Sequence, residues 1–173
     1  MTVMMVAGLL VNASESVAQM ETNSQGRTLD ELIQALVTSA PRGHAAVETV
    51  TGVRLSPTSS GLFDDYVGHS IRLHGATVQS IEFREPRANG EVTSGPIVVL
   101  TLGNECVERD HIFEHYERLS MIDEPRADRA NDPSAVDEGI AFATDEPWGR
   151  LTFGFSGRSP NCVATVTIAL KKL

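Results

Sequence analysis

The stretch HIFEH, residues 111–115, holds the residue types for metal chemistry. On a helix, His111 and His115 stand one turn apart on the same side. Two imidazole ligands of a zinc ion need that spacing. Glu114, between them, is the residue type that takes a proton from a zinc-bound water. The surrounding segment VERDHIFEHYERL also reads as an ordinary amphipathic helix. In that reading Ile112, Tyr116 and Leu119 make an apolar stripe with Phe113 beside it. Glu108, Arg109, Asp110, Glu114, Glu117 and Arg118 then form a solvated face, with Glu114 and Arg118 as an i,i+4 pair. The two histidines flank the stripe.

The five-residue string resembles the H-x-x-E-H motif of the inverted zinc metallopeptidases. That resemblance implies zinc held by His111 and His115, Glu114 as general base, and a carboxylate ligand on a helix well downstream. Here the downstream carboxylates lie in a segment without helical pattern, and the chain then turns to β-type sequence. The resemblance covers five of 173 residues. The expectation is therefore a non-catalytic protein with no cofactor. A small zinc-dependent hydrolase using His111, Glu114 and His115 is the alternative.

Other constellations are weaker. GFSGR, residues 154–158, misses G-x-S-x-G at Arg158 and lies at a strand–turn–strand junction, where a nucleophile elbow needs strand–turn–helix. Asp64, Asp65 and His69 read as a polar loop. Cys106 and Cys162 are the only thiols. In IVVLTLGNEC, Cys106 shares a strand face with Val98, Leu100 and Leu102. In CVATVTIAL, Cys162 shares one with Val166, Ile168 and Leu170. Both are expected to face the core. Cys106 ends its strand and Cys162 begins its own, so antiparallel pairing would bring them together as a disulfide.

A disulfide needs an oxidising compartment, and the N-terminus points to one. Residues 1–18 read as a signal peptide: a short apolar run from Val3 to Val11, then Ser16-Val17-Ala18 as a small-x-small cleavage pattern. No Lys or Arg precedes the apolar run, which departs from the usual pattern. No Cys follows to carry a lipid anchor, and no other segment has the length and apolarity to cross a membrane. Residues 19–27 read as a flexible leader and 28–173 as a single globular domain. The localisation expected is periplasmic or secreted, without membrane insertion of the mature chain.

The formal charge is −9, with 14 basic and 23 acidic residues. That excludes non-specific nucleic-acid binding, which needs a basic surface against phosphate, and it favours a basic protein partner. Most of the excess lies in DEPRADRANDPSAVDEGIAFATDEP, residues 123–147, which reads as a long polar loop. It is not an EF-hand, because the turn glycine is replaced by Pro133 and the last ligand by Gly139. Long loops without regular structure in compact domains are commonly functional. Asp137, Glu138, Asp145 and Glu146 are expected to steer the partner, while Ile140, Phe142 and Trp148 supply buried area. Together these readings give an exported binding protein, of the kind that inhibits a cell-wall hydrolase or gives immunity to a secreted toxin.

The elements that must position these residues follow from periodicity. TLDELIQALVTSAPRG carries a capping box, Thr28 with Glu31, and an apolar face of Leu29, Leu32, Ile33, Leu36 and Val37. Pro41 and Gly43 stop that helix. HAAVETVTG reads as a second helix ending at Gly52. VRLSP, SIRLHG, TVQSIEFREP and PIVVLTLGNEC read as strands, with a turn at Asn89-Gly90. WGRLTFGF and CVATVTIAL read as a hairpin. The fold class expected is α+β: an antiparallel sheet with N-terminal helices and one mid-chain helix packed on one face.

Overall fold

The computed structural model describes residues 26–87, 94–123 and 139–172. The expected signal peptide, the Asn89-Gly90 turn, Asp137 and Glu138 lie outside them.

Helix α1 (Leu29–Ser39) begins with the capping box read from the sequence. The Thr28 hydroxyl accepts from the Glu31 amide, and the Glu31 carboxylate accepts from the Thr28 amide, so two amides with no partner inside the helix are satisfied. Leu29, Leu32, Ile33 and Leu36 bury its apolar face. A 3₁₀ turn (Ala40–Arg42) holding Pro41 leads to α2 (His44–Thr51). Gly52 closes α2 in the left-handed conformation, at φ +69°, which glycine adopts without a Cβ penalty.

Among the described residues eight strands follow: β1 (Ser56–Ser60), β2 (Phe63–Leu73), β3 (Ala76–Pro86), β4 (Ser94–Leu102), β5 (Ser120–Asp123), β6 (Ile140–Glu146), β7 (Gly149–Ser156) and β8 (Ser159–Lys171). Helix α3 (Arg109–His115) lies between β4 and β5. The strands form one antiparallel sheet in the order β1-β2-β3-β4-β8-β7-β6-β5. This is the α+β class expected. The core lies between the helices and one sheet face. It joins Leu32, Ile33 and Leu36 to Phe83, Leu100, Phe153 and Ile168, with Ile112 sealing it under α3. Among the described residues, no helix is long and apolar enough to cross a membrane.

Several expectations are corrected. VRLSP begins as a connector: Leu55 is buried, but pairing starts only at Ser56. Strand β2 starts at Phe63, upstream of SIRLHG, because FDDYVGH pairs with β3 although its polar residues hide the pattern. The stretch read as a loop to Pro147 contains β6, whose seven residues pair along β7. Helix α3 is shorter than the apolar stripe suggested. Tyr116 is already extended and Arg118 sits at φ +60°, so Arg118 is not one helical turn from Glu114.

The two cysteines form the disulfide expected, with Cα atoms 5.0 Å apart. Their environment differs from the expectation. Cys106 lies beyond the end of β4 and is exposed, and Cys162 is half-buried. A bulge in β8 explains the second case. Gly154 pairs with Thr165 and Phe155 with Val163, which leaves Ala164 as the extra residue. One extra residue inverts the alternation, so Val163, not Cys162, enters the core with Val166 and Ile168.

Candidate functional site

Two regions concentrate chemistry or exposed apolar surface. The first lies between the start of α1 and α3. Burial of Leu29 and Leu32 fixes the rotation of α1 and leaves Asp30 on its flank, half-buried. Burial of Ile112 does the same for α3 and turns His111 and His115 toward Asp30. The entry to α3 is held to β8 by the disulfide and by the Val163 amide, which donates to the Val107 carbonyl at 3.0 Å.

Asp30, His111 and His115 converge so that one donor atom from each lies within 4.8 Å of the others. His111 Nε2 stands 3.4 Å from Asp30 Oδ2. The imidazole centroids are 4.1 Å apart, with the rings inclined at 45°. His115 Nδ1 lies 3.1 Å from the His111 carbonyl oxygen; with its proton on Nδ1 the ring donates there and keeps the Nε2 lone pair available. The Tyr116 hydroxyl donates to Asp30 Oδ1 at 2.7 Å. Burial, and then the bond to Asp30, pushes the Tyr116 phenol far above its ordinary range, so it keeps its proton and donates it to Asp30. One carboxylate oxygen is therefore held by Tyr116 while the other faces His111.

Asp30, His111 and His115 border a cleft of about 510 Å³, whose other walls include His74, Gly75, Ala76, Cys106 and Val107. Glu114 is exposed and stands outside the lining of that cleft. Periodicity found the histidine pair. It gave no sign of Asp30, 81 positions from His111, because the contact is made by tertiary packing.

The second region is the β5–β6 edge. All four residues of β5 are exposed, and Met121 and Ile122 are each 51% accessible. Met121 pairs with Phe142, whose ring meets Phe113 edge-on at 4.9 Å. Phe113 is itself exposed. Directly opposite residues share a sheet face, so Phe113, Met121 and Phe142 form a small apolar patch. Sequence reading missed Met121 and Ile122, which sit in a stretch too short to show a period.

The residues expected to contact a partner are placed unevenly. Ile140, Phe142 and Trp148 are half-buried, and the last two pack against the core. Asp145 is exposed, and Arg150 donates to it through two nitrogens at 2.7 and 3.0 Å. Glu146 is half-buried and accepts from the Thr144 hydroxyl. Gly139, where the chain enters β6, lies so close to β7 that a Cβ would collide with the Phe155 carbonyl.

Together, fold and site define an α+β protein with a disulfide-anchored helix beside a cleft that holds two histidines and an aspartate, and an exposed apolar sheet edge. A scan against protein-family models, a search of curated proteins and a search of solved structures each return no significant match.

Proposed function

We propose that this chain is an exported, non-catalytic binding protein, periplasmic or secreted, that occludes a basic protein such as a cell-wall hydrolase or a secreted toxin. The observation that carries the reading is the β5 edge. Four exposed residues, two of them large and apolar, run directly into the acidic segment after Asp123. An apolar strand edge left in water is a pairing hazard unless a partner uses it. The opposite edge strand, β1, carries Pro57, which cannot donate to a ladder, whereas β5 has no proline; a register shift occurs in both edge pairings. The disulfide supports an oxidising compartment. The contact surface under this reading is Met121, Ile122, Phe113 and Phe142, with Asp145 and Glu146 on β6 and Ile140 and Trp148 beside them. Asp137 and Glu138, in the acidic segment of the sequence, are proposed to add steering charge.

The test is inhibition of cell-wall lysis by the extracytoplasmic fraction of the source organism. Wild-type protein suppresses lysis at low salt, the effect weakens steeply as salt rises, and Ile122→Asp abolishes it. Suppression equal at low and high salt, or unchanged in Ile122→Asp, overturns the reading.

A zinc hydrolase is the second reading, favoured by the approach of Asp30 to His111 and His115. Its base would be Glu114, which lies outside the cleft lining.

A further inference from the structure

The geometry points to a divalent-metal site made by Asp30, His111 and His115, which clips α1 to α3. Two imidazoles and one carboxylate with donor atoms within 4.8 Å of one another match the three-ligand nitrogen and oxygen sets that zinc takes in open sites. The donor chemistry favours zinc, nickel or copper over calcium or magnesium, which take oxygen ligands. The third ligand comes from upstream, at the first turn of α1, rather than from a downstream helix.

The site also has the outer partners that metal ligands need. Tyr116 holds Asp30 Oδ1 and leaves Oδ2 facing His111, and the His111 carbonyl accepts from His115 when its proton is on Nδ1. Such outer-shell bonds orient ligands and raise their affinity. Without a cation, the rings and the carboxylate gain only exposed, screened contacts: His111 and His115 are both exposed, where an ion pair contributes little. With one, the cation links the N-terminal helix to the element that the disulfide fixes to β8. The three ligands line the same cleft as His74 and Gly75, so water or a donor atom in the cleft would complete the shell.

Titration of the oxidised, full chain with zinc chloride, followed by calorimetry, tests this. The expected result is one zinc per chain. His111→Ala and His115→Ala abolish that binding, and Asp30→Asn weakens it severely. Tyr116→Phe keeps the ring packing against Phe153 and weakens zinc by about 10- to 100-fold, as loss of an outer-shell partner does. All three ligand side chains are at least partly exposed, so the variants fold, which circular dichroism checks. Zinc also raises the unfolding temperature of the wild type with zinc concentration and leaves that of His111→Ala unmoved. Binding that survives Asp30→Asn intact reduces the site to a helical histidine pair and overturns the proposal. Binding indifferent to His111 and His115, or no binding, overturns it as well. None of these outcomes depends on the partner surface at β5.

Discussion

The α1–α3 cleft and the β5 edge are opposite kinds of surface. In the cleft every functional side chain has a local partner: Tyr116 on Asp30, Asp30 on His111, the His111 carbonyl on His115. Those partners fix positions before any ligand arrives, and the elements beneath are tied by a disulfide and by buried Ile112. At the edge, Met121 and Ile122 are held by a four-residue strand and face water. The cleft invests folding energy in geometry, which suits a small, directional ligand such as a metal ion. The edge offers area without geometry, which suits a large partner that brings its own complement.

The sharpest way to break this comparison is to remove the disulfide. Cys106→Ser with Cys162→Ser should lower stability by about 4 kcal/mol, the loop-closure value for this separation, in guanidinium unfolding without reductant. Zinc affinity should fall in the same protein, because the entry to α3 is released, while the edge keeps its own pairing through β6 and β7. Equal damage to both regions would show that they are one cooperative unit. Ile112→Ala is the next largest perturbation. A fully buried isoleucine truncated to alanine costs about 2–5 kcal/mol, and here the cavity opens directly under the two histidines. Urea unfolding midpoints and zinc titrations on one preparation should show both losses.

Much of the frame was legible because it obeys short-range rules. The capping box at Thr28 and Glu31, the Gly52 stop and the β7–β8 hairpin each follow from a local signal that tertiary packing did not override. The disulfide was legible for a partly mistaken reason. Strands β4 and β8 do pair antiparallel. Cys106, however, lies past the end of β4, Cys162 lies inside β8, and the bulge at Ala164 put Val163 in the core where Cys162 was expected. Bulges are invisible to a count of alternating residues. Strand β6 was missed because its acidic surroundings mask Ile140, Phe142 and Thr144, whose burial depends on β7. The histidine pair lies within one turn of helix and was visible; Asp30 belongs to another helix and was not.

Smaller perturbations sharpen the contrast. Thr28→Ala should cost about 1 kcal/mol through the lost cap, measured by thermal unfolding. It should also weaken zinc, since Asp30 sits in the turn that the cap holds. Met121→Asp and Ile122→Asp should stay within about 0.5 kcal/mol of wild type, as exposed substitutions do, and should leave zinc binding alone. A destabilisation as large as that of Ile112→Ala would mean that these residues are covered within the chain and would remove them from the partner surface.

The smallest effect concerns Asp145, an expected steering charge that already has a cation, Arg150. Its hydrogen bonds to Arg150 hold the Asp145 carboxyl below the usual aspartate range. The sign follows from linkage: a carboxylate with a depressed folded pKa stabilises the protein above the unfolded value and loses that contribution as pH falls through the folded one. The pair is exposed, so its effect on unfolding should be slight, and the useful readout is the residue's own titration by NMR. The midpoint should rise to the ordinary aspartate range in Arg150→Ala. That variant frees Asp145 and makes the edge more acidic, so capture of a basic partner should strengthen at low salt. If the midpoint rises and capture stays constant, Asp145 lies outside the contact, and the steering charge belongs to the acidic segment between Asp123 and Gly139.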